Sequence, residues 1–245
     1  MAYSTINKAE GERIFAIGDI HGCPDEPAIL LDFLENDQGL TDFDVVIFLG
    51  DYVDRGPNSK AAIDLLLEFK LRFPNTRFLK GNHEVMMLDF LGFGGSLGQA
   101  FMYNGGIETL QSYGISVFAP PDEMVSALPP QHFKFISTLE SVIQVGDFTC
   151  VHAGLNPVNK FEEQLEDDVY WIRDEFIANV HNFDTTVVFG HTPYKEVFLH
   201  LPYKVGIDTG LVFGNKLSCI ELVKGDVFQV SRGSKEVVVS SVATS

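Results

Sequence analysis

Ile14-Phe15-Ala16-Ile17-Gly18-Asp19-Ile20-His21 runs from four apolar residues through a glycine to two side chains that bind metals well. The same order recurs in Val45-Val46-Ile47-Phe48-Leu49-Gly50-Asp51, Arg77-Phe78-Leu79-Lys80-Gly81-Asn82-His83, Phe148-Thr149-Cys150-Val151-His152 and Thr186-Val187-Val188-Phe189-Gly190-His191. Continuous apolar runs closed by glycine or a small residue predict strands buried on both faces. Ligands at the carboxyl ends of several strands converge on one sheet edge, where α/β proteins keep their sites. The candidate ligands Asp19, His21, Asp51, Asn82, His152 and His191 exceed what one ordinary transition-metal site takes. The pattern points to two metals, and two metals at a strand edge point to phosphate-ester hydrolysis.

Outward from these runs, helical spacing appears twice. Ile29, Leu30, Phe33 and Leu34 predict a helix near 25–36. Ala62, Ile63, Leu66 and Phe69 predict another from Ser59, with Asn58 or Ser59 as its cap. Consecutive strand–helix–strand units predict a sheet that starts parallel. Residues 84–138 read as a mostly helical cap or insertion near the site, glycine-rich at 92–106 and broken by Pro129-Pro130. From 141 the pattern turns to strands at 141–145, 148–152, 186–189, 204–207, 216–223 and 226–230, with Gly225-Asp226 as a hairpin turn. Val237–Val239 suggests a last strand before a frayed tail. Two packed sheets flanked by helices fit this mixture.

The 245 residues fit one domain, 1–245, with apolar residues at 45% and charged residues at 21%. A net charge of −17 argues against a long nucleic-acid partner and an anionic membrane. It suits a neutral or cationic protein substrate. Polar Met1 to Glu12 carries no apolar leader, and Cys23, Cys150 and Cys219 form no CxxC pair, so a reducing, cytoplasmic setting is expected.

A carboxylate such as Asp51 can bridge two cations, whereas an imidazole cannot. The mixed oxygen and nitrogen donors favour manganese or iron over structural zinc, with zinc still allowed. Two ions about 3.5–4 Å apart can share a hydroxide aimed at phosphorus. His83 beside Asn82 can protonate the leaving oxygen, Asp54 can orient His83, and Arg55 can clamp phosphoryl oxygens.

Asp19-Ile20-His21-Gly22, Gly50-Asp51-Tyr52-Val53-Asp54-Arg55-Gly56 and Gly81-Asn82-His83-Glu84 resemble the signature blocks of the phosphoprotein phosphatase family of metallophosphoesterases. His152-Ala153-Gly154 and Gly190-His191-Thr192-Pro193 resemble its two later histidine blocks. The resemblance implies a mixed α/β (α+β) chain with the calcineurin-like fold, a central β-sandwich flanked by helices. It implies one metal on Asp19, His21 and Asp51, and a second on Asp51, Asn82, His152 and His191. It makes His83 the general acid with Asp54, and Arg55 a phosphate ligand. It implies a second phosphate-binding arginine, for which Arg173 in Tyr170-Trp171-Ile172-Arg173-Asp174 resembles the bacterial and bacteriophage element. Asp208-Thr209-Gly210 resembles a supporting element near the site. Chain length and Asn104-Gly105-Gly106 also look bacterial or phage-like.

The function expected from this resemblance is a monomeric, manganese-dependent serine/threonine phosphoprotein phosphatase acting on a phosphorylated protein or peptide, with phosphotyrosine activity open. Diadenosine tetraphosphate or related dinucleoside polyphosphate hydrolysis is the alternative. Glu84, where such hydrolases typically carry Asp, and the presence of Asp54 count against it, while Pro57 leans toward it. An inactive phosphoprotein-binding module would predict a lost ligand, acid or arginine, and none is lost. His132, His181 and His200 match no block and read as structural or solvated.

Overall fold

The computed structural model describes residues 1–7 and 11–242. Its strands are β1 (Tyr3–Ile6), β2 (Ile14–Ile17), β3 (Val45–Phe48), β4 (Thr76–Phe78), β5 (Val142–Val145), β6 (Phe148–Val151), β7 (Thr186–Phe189), β8 (Phe198–His200), β9 (Lys204–Gly206), β10 (Lys216–Glu221), β11 (Asp226–Ser231) and β12 (Val237–Ser241). Among the described residues they form two six-stranded sheets, β12-β11-β10-β2-β3-β4 and β1-β5-β6-β7-β9-β8. In the first, β2, β3 and β4 run parallel, as the strand–helix alternation predicts. In the second, β6, β7 and β9 run parallel. All six point their carboxyl ends toward segments that carry candidate ligands or Asp208.

Burial explains why β2 and β3 are apolar at every position. Ile14, Ala16, Val45 and Ile47 pack against Ile143, Val145, Cys150, Val188 and Val205 of the second sheet, which makes the sandwich core. Phe15, Ile17, Val46 and Phe48 face the opposite way, against Leu30, Leu34, Ala62, Ile63, Leu66 and Phe69 of α1 (Asp25–Asn36) and α2 (Ser59–Arg72). Each fully buried residue of this size contributes about 1.5–3 kcal/mol. The fold is thus mixed α/β, two sheets flanked by helices, as expected.

Asn58 is the cap of α2, its Oδ1 accepting the Ala61 amide at 3.0 Å. Ser59, the other candidate, turns inward and accepts the Asp54 amide at 3.1 Å. Between β4 and β5 lie α3 (Asn82–Phe90), α4 (Gly98–Phe101), a π-turn at Met102–Gly106, α5 (Ile107–Ser112), α6 (Pro121–Ala127) and α7 (Pro130–Ser137). Pro130 opens α7 because a first-turn residue needs no N–H donor. Two further helices, α8 (Glu166–Trp171) and α9 (Asp174–Ile177), precede β7.

Two strands were not foreseen. β1 lies in the segment read as a polar start, and it pairs in parallel with β5, a partner far along the chain. β8 has only three residues and forms because β9 lies beside it. β12 continues to Ser241, and the tail residues 243–245 lie outside the described residues. No described helix is long and apolar enough to cross a membrane.

Candidate metal centre

The six expected donors arrive from both sheets, and all are buried. Asp19 and His21 follow β2, Asp51 follows β3, Asn82 opens α3 after β4, and His152 and His191 follow β6 and β7. Asp51 stands between the sheets: its Oδ2 lies 3.4 Å from His21 Nε2 and 3.4 Å from His152 Nε2. Asn82 Oδ1 lies 3.0 Å from His152 Nε2 and 2.9 Å from His191 Nδ1. Two groups, His21–Asp51–His83 and Asp51–His152–His191, each hold donor atoms within 4.8 Å of one another, and they share Asp51. Asp19 belongs to neither group; its carboxylate accepts the His191 amide at 3.1 and 3.3 Å.

Strained backbone aims these side chains. Among the described residues, the non-glycine positions with positive φ are His21 (46°), Asp51 (53°), Asp54 (72°), Arg55 (67°) and His191 (61°). All five are residues that the sequence marked for the site. Left-handed non-glycine residues cost on the order of 1–3 kcal/mol each and persist only where the surroundings fix them. Glu84 supplies much of that fixing. Its buried carboxylate accepts the amides of Asp51 (3.0 Å), Tyr52 (2.7 Å), Val53 (3.2 Å) and Gly81 (2.9 Å). Gly81 must lack a side chain, because a Cβ there would sit 2.5 Å from the Asp51 backbone nitrogen.

Hydrogen bonds on the far side of two rings settle which nitrogen faces inward. His21 Nδ1 donates to Val53 O at 3.0 Å, and His152 Nδ1 to Leu49 O at 2.7 Å. Both therefore turn Nε2 toward Asp51, the orientation of a metal-bound histidine. Burial lowers His21 to about 3, so its ring is neutral near pH 7. Burial followed by the charges of Asp208 and Asp51 holds the Asp19 carboxyl well above its usual range. Burial also pushes Asp208 up to about 6, with Asp51 adding to the rise. For Asp51 burial acts upward, but the charges of His152 and His83 outweigh it and hold the group well below. Buried carboxyls repelling one another beside inward imidazole nitrogens and an amide oxygen form a donor set suited to divalent cations. The residues present fit such a centre.

His83 and Asp54 form the expected pair, Nδ1 to Oδ2 at 2.7 Å, both buried. Burial lowers His83 to about 4 and raises Asp54 well above the usual range, so both favour their neutral forms. Thr109 was missed by the sequence. Its hydroxyl donates to Asp54 Oδ1 at 2.7 Å and accepts the Asp54 amide at 2.8 Å. It comes from α5, far along the chain, and no local pattern marks it. The two arginines flank the donors on different sides. Arg55 Nη1 donates to His21 Nε2 at 2.9 Å, and Arg173 Nε donates to His191 Nε2 at 3.1 Å.

The remaining histidines are outside this cluster. His132 bonds Asp64 and Tyr113, both at 2.9 Å, and His181 bonds Tyr203 O at 2.8 Å. His200 packs edge-on against Tyr203. Burial pushes the Cys23 thiol up to about 11, and all three cysteines are free and buried.

Comparison with known proteins sharpens the assignment. The profile of the calcineurin-like phosphoesterase family matches residues 12–227. A relative from Bacillus subtilis (strain 168) named bis(5'-nucleosyl)-tetraphosphatase PrpE [asymmetrical] is 28% identical, covering 82% of this chain and 87% of its own length. A solved chain provisionally named a diadenosine tetraphosphatase superposes with a TM-score of 0.70 at 23% identity, covering 94% of this chain and 98% of its own. A protein serine/threonine phosphatase from Saccharomyces cerevisiae superposes with a TM-score of 0.61 at 15% identity, covering 98% and 82%. At those identities the two structures speak for the fold alone.

The expectation of a phosphoprotein phosphatase, with a phosphorylated protein or peptide as its partner, does not stand against the relatives' names. The structure shows why the sequence misled. In the sequence Glu84 counts as a substrate marker, yet its carboxylate is buried and accepts four loop amides. Asp54 counts likewise, yet it is enclosed by His83, Thr109 and Ser59. Both residues support the centre from behind. Both are fully buried, so neither presents a surface that could tell a protein from a nucleotide. The chain belongs to the calcineurin-like phosphoesterase family.

Proposed function

We propose, on the premise that the chain is a calcineurin-like phosphoesterase, that it hydrolyses dinucleoside tetraphosphates at a phosphoanhydride bond. The observation that carries this reading is the likeness to the Bacillus subtilis tetraphosphatase over most of both chains. That relative's name specifies asymmetrical cleavage, so water would add across the anhydride next to one nucleoside monophosphate. Diadenosine tetraphosphate would then give AMP and ATP.

Asp19, His21 and Asp51 would hold one divalent cation, and Asp51, Asn82, His152 and His191 the other. The mixed donors favour manganese or iron over zinc. When bound, the cations supply Lewis acidity and lower the pKa of attacking water. Arg55 and Arg173, on the His21 and His191 sides, would bind phosphoryl oxygens as they gain charge. His83 is the acid, held in register by Asp54. With Asp54 protonated and donating to Nδ1, the neutral ring carries its own proton on Nε2. An anhydride expels a phosphate oxygen, which is less basic than an alkoxide, so this proton matters less here than for an alkyl ester. The whole chain reads as one domain, with 84–138 as a helical cap.

The test is kcat/KM, with manganese added, on diadenosine tetraphosphate and on a phosphoserine peptide, together with product identification. Strong preference for the dinucleotide with AMP and ATP as products is expected. Two ADP would correct the position of the cut, and preference for the peptide would overturn the proposal.

A further inference from the structure

The rim of the site carries an aromatic ring that packing does not explain. Phe213 is 65% exposed, yet it ends a short 3-10 turn, Leu211–Phe213, that is held firmly. Leu211 anchors the turn in the core. Left-handed Gly210 (φ 69°) and Gly214 (φ 91°) bracket it, conformations that a side chain would strain. Asp208 Oδ1 accepts the Gly210 amide at 2.9 Å, which ties the turn to a carboxyl of the centre. Asn215 Nδ2 donates to Thr209 O at 2.7 Å and to Lys195 O at 3.0 Å. An exposed phenylalanine on so constrained a turn gains little for folding.

Its position relates it to the centre. The Arg55 guanidinium carbon lies 5.4 Å from the Phe213 ring centroid, while Arg55 Nη1 lies 2.9 Å from His21 Nε2. One arginine therefore touches both the donor cluster and the ring. A phosphate chain held by Arg55 has an aromatic surface beside it, where an attached nucleoside can settle. Bases stack on aromatic rings with little regard to their identity, because every base has a π-face.

We infer that Phe213 is a specificity-determining residue that stacks on a nucleobase of the substrate while Arg55 holds the adjoining phosphate. This rests on the dinucleotide reading and adds to it the group that distinguishes a nucleotide from a bare phosphate chain.

The test uses the manganese-supplemented full chain and two substrates, diadenosine tetraphosphate and inorganic tripolyphosphate, which has the anhydride but no base. The readout is the ratio of their kcat/KM values. Phe213→Leu keeps apolar bulk and removes the π-face, and it is expected to lower the ratio on the order of tenfold or more, mainly through KM for the dinucleotide. Phe213→Trp is expected to keep it. An equal fall on both substrates would mean that the ring acts only through Arg55 and would overturn the inference. An unchanged ratio in Phe213→Leu would also overturn it, while leaving the dinucleotide activity standing. A wild-type chain with no preference for the dinucleotide over tripolyphosphate would remove the underlying reading and the inference with it.

Discussion

The donor cradle and the rim around it are built by opposite rules. Each of the six donors is at most 6% exposed, whereas Phe213 is 65% exposed and Tyr103, in the π-turn whose Gly105 accepts the Arg55 amide, is 91% exposed. Cradle residues are held by bonds from several elements: Asp51 by Glu84 and His83, Asp54 by Thr109 and Ser59, His191 by Asp19. Rim residues stand on turns and a glycine-rich stretch. The difference teaches that chemistry and substrate choice are separable here. A cradle of this kind can serve any phosphoryl substrate, and only groups that reach solvent can tell one substrate from another.

Cradle variants should therefore change rate, dependence on the leaving group or stability, and should leave recognition of the nucleoside as it was. The largest effect belongs to Asp51→Asn. It weakens the one carboxylate shared by both donor groups, and turnover is expected to fall on the order of 10³-fold or more. Bound metal per chain, read by elemental analysis, should fall with it; normal activity would break the two-metal assignment.

Glu84→Asp comes next, because a side chain shorter by one methylene cannot reach all four amides. Leaving buried amides unmet should cost about 2–3 kcal/mol in urea unfolding. The ratio of dinucleotide to phosphopeptide hydrolysis should stay as it was; a shift toward one of them would make Glu84 a substrate residue after all.

Thr109→Val keeps the volume near Asp54 and removes the hydroxyl. A loss of about 10- to 100-fold in kcat is expected, as for other residues that orient an active group. The loss should be greater for an alkyl phosphate than for the dinucleotide, and Thr109→Ser should restore activity. A uniform loss across leaving groups would show that Thr109 only supports packing.

The smallest effect is expected at Asp89, beneath the glycine-rich stretch of the rim. Asp89 accepts the amides of Gly95 (2.8 Å) and Leu97 (2.9 Å) and so shapes the glycine-rich stretch. Asp89→Ala should lower stability by about 1 kcal/mol or less. A change in KM of a few-fold with kcat unchanged would place this stretch beside the substrate. A fall in kcat alone would place it with the cradle and blur the comparison.

How much was legible follows the same division. Asp19, His21, Asp51, Asn82, His152 and His191 were readable because each sits just past an apolar run, and that register is local. The identity of the strands was readable because β2 and β3 are covered on both faces and show no polar alternation. Glu84 stood inside a quoted block, but the direction of its carboxylate cannot be read from spacing. Thr109 and the ring of Phe213 were invisible, since nothing within several residues of either marks a function.

The sequence alone carries the mixed α/β class, the strands that end in candidate donors, and a set of oxygen and nitrogen side chains of the kind that binds metals. These depend on short windows of hydrophobicity and on side-chain chemistry. The tertiary structure alone decided that one oxygen of Asp51 lies between histidines from two sheets. It also decided that Glu84 and Asp54 face inward, that Thr109 meets Asp54, and that Phe213 lies against Arg55. Those contacts join residues distant in the chain, and they form only when packed surfaces bring their backbones together.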